Sequence, residues 1–317
     1  MKKVLILESK SDQAKTFHCF LKKQKEYDIT LCPKGECDGI EGYDFVIPSG
    51  GDSTFDYVKK HGNFKIGELE YSKNNLITFD KIKTLKIVSD IGVPIPETYT
   101  DKNKIDFFPF FYKSLREEGY RERGIIRNKE DLKKLTSENV FYQEFIWSKG
   151  TYSVGFLADR GKLITHFTQK EILSYPYHGG SGVILQRIED PTLLKYTQMI
   201  IEETGYSGWG LTEFKYSNRI KDYVFMEVNA KFWASIKFAI FNNPLFLKIL
   251  LDIEIAPKPI ERVLYLDRLI LSEFTEIKTA FPYLFNSRIV KSKNIITAVK
   301  DRLAGNRIKA QRIKVMK

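Results

Sequence analysis

The chain has 317 residues, of which 43% are hydrophobic, 14% aromatic and 29% charged, a length for two or three domains and a composition far from that of a disordered segment. No run approaches the roughly 18–20 uninterrupted apolar residues of a membrane span, and MKKVLILESKSDQAK reads as a strand, not a secretory leader. The net charge is +11, but ten bases against one acid from Asn286 onward put +9 there and leave about +2 on the body, which excludes a basic nucleic-acid surface over the whole molecule. No specific nucleic acid is expected as a partner.

In chain order, residues 3–7 (KVLIL) form a strand, and Ser9 or Ser11 caps a helix running to about residue 24. Strands over 27–31 and 44–47 follow, the opening of a parallel α/β layer. Residues 48–53 (PSGGDS) make a turn without GxGxxG or GxxxxGK[ST], a plain strand-to-helix connection. The segment 78–90 carries apolar residues at helical spacing and is stopped by Gly92, and Pro94 and Pro96 then force an extended connection. Further strands are expected over 107–113, 124–127, 141–146, 151–157, 163–170, 209–216 and 223–228. Asn128 caps a short helix, and 190–204 is a longer one. A domain boundary falls near 72–78, where the sequence turns polar. The cysteines Cys19, Cys32 and Cys37 have no zinc spacing and read as small core residues of a reducing compartment.

Two segments carry the clearest chemistry. Glu213 lies in GLTEFKY, and Glu227 and Asn229 lie in YVFMEVNAKFW. Alternation along a strand points residues 227 and 229 the same way. If the two strands pair, Glu213 joins them, and three hard oxygen donors suit Mg²⁺. The other reading is an exposed sheet face paired to lysines. Lys81, Lys113, Lys170 and Lys231 each sit beside an apolar stretch; together they can neutralise a triphosphate, whereas any one alone is a solvated strand end. In Gln143-Glu144-Phe145-Ile146 a polar pair meets an apolar strand end, so backbone groups can read an adenine edge with Phe145 and Ile146 against the ring.

The ordered series DKIKTLKIVSDIGVPIPET, FPFFYK, QEFI, LTEF and FMEVNAKFWAS resembles the ATP-grasp superfamily over about residues 75–250. With HFTQKEILSYPYHGGSGV it is most similar to the stand-alone, carbamoyl-phosphate-synthase-like carboxylate–amine ligases. The resemblance implies an α/β plus α+β chain: an N-terminal Rossmann-like parallel layer over 1–75, then a two-subdomain clamp (76–150 and 151–260), then a basic C-terminal extension over 261–317. It implies that Lys81 and Lys113 contact nucleotide phosphates and that Gln143, Glu144, Phe145 and Ile146 hold adenine. Glu213, Glu227 and Asn229 would bind Mg²⁺, with Mn²⁺ as a substitute. Lys170 and Lys231 would lie near the γ-phosphate and the acyl phosphate.

The implied reaction phosphorylates a carboxylate with ATP, after which an amine or another nucleophile attacks the acyl phosphate, so small-molecule carboxylate and amine substrates are the expected partners. Cell-surface glycans or peptides are one setting for it. Departures from the family pattern are Thr151 where a ribose-binding glutamate is usual, Lys231 where arginine is usual, and a glycine-poor flap, 114–124, in which Arg116, Arg121 or Arg123 can meet phosphate. His178 is a candidate for binding or deprotonating the amine. A second reading is a non-catalytic ATP-binding module that recruits a partner or a membrane through its basic tail. Residues 294–308 form a basic amphipathic helix, with Ile295, Val299 and Leu303 on one stripe; it can meet an anionic membrane surface, pack on the body or bind another anionic partner. The expected location is cytoplasmic, with a peripheral association at the inner membrane surface.

Overall fold

The computed structural model describes residues 1–36, 39–116, 122–136, 138–175, 180–272, 274–290 and 295–303. The chain opens with β1 (Lys2–Leu7) and α1 (Asp12–Leu21), and Ser11 is the cap, its side chain accepting from the Ala14 N–H. β2 (Tyr27–Cys32) and β3 (Phe45–Pro48) flank β1 in parallel, in the order β2-β1-β3. Cys32 ends β2 and is disulfide-bonded, which the reading as simple core residues does not include; its partner lies outside the described residues. The turn after β3 leads into α2 (Gly51–His61), as a strand-to-helix connection should. A hairpin of β4 (Phe64–Ile66) and β5 (Leu69–Tyr71) follows, then a 3₁₀ stretch over Lys73–Phe79. Asp80 accepts from the Lys83 N–H, so α3 (Lys81–Asp90) starts three residues later than its apolar spacing suggests.

The next sheet has four strands, β6 (Thr98–Tyr99), β7 (Phe110–Ser114), β8 (Arg123–Ile126) and β9 (Val140–Glu144), in the order β6-β9-β7-β8. Pro109 has no N–H to give a ladder, and β7 begins after it. Asn128 caps α4 (Lys129–Lys134) through the Asp131 N–H.

The largest sheet is built from β10 (Thr151–Asp159), β11 (Lys162–Tyr175), β12 (Ser181–Arg187), β13 (Gly208–Ser217) and β14 (Asp222–Asn229), with α5 (Pro191–Thr204) inserted before β13. The chain continues through α6 (Ile236–Asn242), α7 (Leu245–Leu251), β15 (Arg262–Tyr265), α8 (Leu266–Leu271), α9 (Phe274–Ala280), β16 (Arg288–Val290) and α10 (Ile295–Leu303). The sheet order is β14-β13-β10-β11-β12-β15-β16. β15 and β16 therefore extend this sheet, and the segment after 261 begins as part of the body. α10 packs on α8: Ala298 is buried, and the Arg302 guanidinium donates to the Ser272 carbonyl at 2.7 Å and to the Ile270 carbonyl. Among the described residues no helix is long and apolar enough to cross a membrane.

One core joins the first layer to the large sheet. Trp209 and Phe232 stack with centroids 4.3 Å apart, and Phe17 of α1 meets Phe232 edge-on at 4.5 Å. The Tyr71 hydroxyl donates to the Ala230 carbonyl at 2.7 Å, and the Tyr27 hydroxyl to that of Leu251 at 3.0 Å. These contacts cross the expected boundary at residue 75.

Candidate active site

A cavity of about 410 Å³ opens between the four-stranded and seven-stranded sheets. Its floor is the end of the β13–β14 pair. Glu213 and Glu227 stand directly opposite each other in the antiparallel register, and a bulge follows between 213 and 214. Asn229 is two residues beyond Glu227 and lines the same cavity. The sheet pairing thus brings together the three residues that the sequence groups as metal ligands.

Two lysines come to this floor from the other side. Lys81, the first residue of α3, places its ammonium 2.9 Å from Glu227 Oε2. Lys113 of β7 lies 3.8 Å from the same oxygen and donates to the Met226 carbonyl at 3.3 Å. Lys113 is buried, with its ammonium 5.4 Å from the Phe141 ring centre. Such a placement holds a cation in a poorly hydrated site, where its attraction for an incoming anion is stronger than in water. Lys231 lines the cavity beyond β14, and Arg116 is an exposed residue at its edge.

The hinge divides. Phe145 and Ile146 are buried and line the cavity. Glu144 lines it too, but its carboxylate is held by Arg219 in a two-pronged contact of 3.1 and 2.8 Å. Gln143 is not among the lining residues. Its amide donates to Thr98 Oγ1 at 3.2 Å, and its Oε1 is buried without a partner among the described residues.

Lys170 is placed elsewhere. It pairs in register with Tyr152, one position off the Ser153–Glu213 pair, so alternation turns it to the opposite face of the sheet. Its ammonium lies 5.0 Å from the Tyr152 ring centre. The same parity turns the next residue, Glu171, into the cavity, together with Thr151 and Lys215. Of the candidate histidines, His178 lies outside the described residues, as does Arg121. His166 lines a different cavity, beside Arg187 and Glu189, and burial lowers its pKa.

Glu171 and Lys215 are absent from the sequence-derived site. Burial, with the Glu213 carboxylate as a second cause, pushes the Glu171 pKa up to about 8. Burial lowers that of Lys215, while Glu171 and Glu213 oppose the drop. The alternation that links 227 to 229 also links 213 to 215 and would have found Lys215. Glu171 needs the β10–β11 register, which no local pattern prints.

Among the described residues there is no group of three or more His, Cys, Asp or Glu side chains arranged for a metal. What the floor offers is two carboxylates and one amide. These are oxygen donors of the kind that hold a hard divalent ion whose remaining positions go to phosphate oxygens and water. Glu227 would serve through the oxygen not met by Lys81.

No family model and no curated protein matches the sequence. Solved structures do match. Biotin carboxylase from Campylobacter jejuni, in a complex described as β,γ-ATP, superposes with a TM-score of 0.62 at 15% identity, over 81% of this chain and 73% of that one. The chain has the ATP-grasp fold. Pyruvate carboxylase from Rhizobium etli matches with a TM-score of 0.59 at 14% identity over 77% of this chain, but the chain spans only 27% of that protein's length. An L-amino acid ligase from Bacillus licheniformis matches at 0.54 with 12% identity, over 76% of this chain and 70% of that one.

Proposed function

We propose that the chain is an ATP- and Mg²⁺-dependent ligase that joins a carboxylate to an amine or a related nucleophile. The observation that carries this reading is the cavity floor: Glu213 opposite Glu227, Asn229 beside them, and the ammonium groups of Lys81 and Lys113 directed at Glu227. In the proposal Phe145 and Ile146 take the adenine ring between apolar surfaces, and Lys81 and Lys113 exchange Glu227 for the phosphate oxygens of ATP. Glu213, Glu227 and Asn229 would hold the divalent ion, which when bound offsets the charge on those oxygens. Lys231 and Arg116 lie where they can meet the transferring phosphoryl group. The carboxylate oxygen of the substrate forms a bond to the γ-phosphorus as the bond to ADP breaks. The amine then bonds to the acyl carbon, inorganic phosphate leaves, and the amine loses a proton. The protein forms no covalent bond, so its part is placement and charge neutralisation. The ligase named among the structural matches, which by its name takes L-amino acids, supports amino acids as one class of substrate to try.

The test is ADP release by the intact protein with ATP, Mg²⁺ and a panel of amino acids and sugar acids. Release should require an acceptor and should fall by a factor of roughly 100 or more in Glu227→Gln. ATP binding without turnover for every acceptor would instead favour the non-catalytic module.

A further inference from the structure

A second cavity, also about 410 Å³, lies between α1, α6 and the β15–β16 edge of the large sheet. Its volume falls in the range of small-molecule sites. It has an aromatic centre in Phe241 and basic walls. The Lys237 ammonium is 5.8 Å from the Phe241 ring centre, and the Arg288 guanidinium carbon is 5.2 Å from it. Both cations are therefore drawn to one ring. Among the described residues neither makes an ion pair with a carboxylate. The one acidic residue of the lining, Asp12, is committed: Arg268 holds its Oδ2 at 2.6 Å, and Lys15 lies 3.6 Å from its Oδ1. The rest of the lining is largely apolar and includes Val263, Tyr265 and Val290.

A small anion entering beside Phe241 would meet two like charges with no internal counter-ion, and its apolar part would replace water against the hydrophobic walls. We propose that this cavity binds a small organic anion, a phosphate or carboxylate carried on an apolar body, held by Lys237 and Arg288. The site is separate from the ATP-binding cavity, and the proposal stands whether or not the ligase reading does. Arg268 links a lining residue of this cavity to the strand beside the first. Its guanidinium reaches Asp12 on one side and the Gly182 carbonyl on the other, next to the Gly180-Ser181 stretch that lines the first cavity.

The experiment is titration of the full chain with phenyl phosphate, followed by ligand-observed NMR, in the parent and in Lys237→Gln/Arg288→Gln. Binding should be saturable in the parent and weaker by roughly tenfold or more in the double variant, a difference of about 1.4 kcal/mol. A cooperative urea-unfolding transition like the parent's, measured in parallel, reports that the variant is folded. Inorganic phosphate alone should bind more weakly than phenyl phosphate, because it leaves the apolar walls uncovered. A parallel arm uses vesicles of phosphatidylglycerol in phosphatidylcholine: sedimentation with them that is lost in the double variant assigns the anion to a lipid, and binding confined to phenyl phosphate assigns it to a soluble molecule. No binding of phenyl phosphate to the parent, or equal binding to the folded double variant, overturns the proposal.

Discussion

Glu171→Gln tests the electrostatics of the cavity most directly. The carboxyl of Glu171, half-buried at the cavity, is pushed up to about 8 from an ordinary 4.5, chiefly by lost solvation and secondarily by the Glu213 carboxylate. Below pH 4.5 both folded and unfolded chains carry the proton, and the group adds no pH dependence. Between pH 4.5 and 8 the unfolded chain releases the proton while the folded chain keeps it, so stability falls as pH rises, by about 1.4 kcal/mol per unit. The total loss above pH 8 comes to roughly 3–5 kcal/mol, the smaller figure applying if water enters the cavity. Glutamine keeps the shape and cannot ionise. The variant should match the parent at pH 5 and exceed it at pH 9 by most of that amount. Urea unfolding of nucleotide-free, metal-free protein across this range measures the difference, and Glu213→Gln should close the window at a lower pH and make the total loss smaller. If parent and Glu171→Gln instead fall in parallel from pH 5 to 9, Glu171 is an ordinary solvated carboxylate and the reasoning is wrong.

Lys113→Met keeps the length of a buried side chain while removing the cation beside Glu227. It should weaken ATP binding by roughly tenfold or more in a calorimetric titration, and unchanged affinity would detach Lys113 from the nucleotide. Gly67 turns the β4–β5 hairpin at φ +58, and a Cβ there would sit 2.5 Å from the Ile249 carbonyl oxygen. Gly67→Ala should cost roughly 2–3 kcal/mol in urea unfolding. Arg219→Ala frees Glu144 from an exposed pair and should change stability by less than about 1 kcal/mol. A larger loss would mean that the pair fixes the hinge.

Much of this architecture is written locally in the sequence. Capping residues mark the helices: Ser11, Asp80, Asn128 and Asp190 each accept the backbone N–H that ends an otherwise unpaired turn. The floor of the cavity was legible because alternation fixes which residues share a face and because Glu227 and Asn229 lie on one strand. Lys170 and Glu171 show where local reading stops. A one-residue change in parity decides which of them enters the cavity, and that parity is set by pairing with a strand whose register only the fold reveals. β12 carries only a short apolar run at Val183, Ile184 and Leu185, all buried, and a run of that length does not by itself separate a strand from a buried helical turn. β15 and β16 are four and three residues long, too short for a periodicity to emerge from a basic segment.

The aromatic stack that ties α1 to the large sheet has a bearing on how this protein can be taken apart. Phe17, Phe232 and Trp209 are fully buried only while both partners are present. Severing the chain near residue 75 would leave each fragment with a bared ring surface and an incomplete interior. Neither piece is therefore a natural unit for swapping, fusion or separate expression, and the sheets around the cavity are to be engineered with the first layer attached.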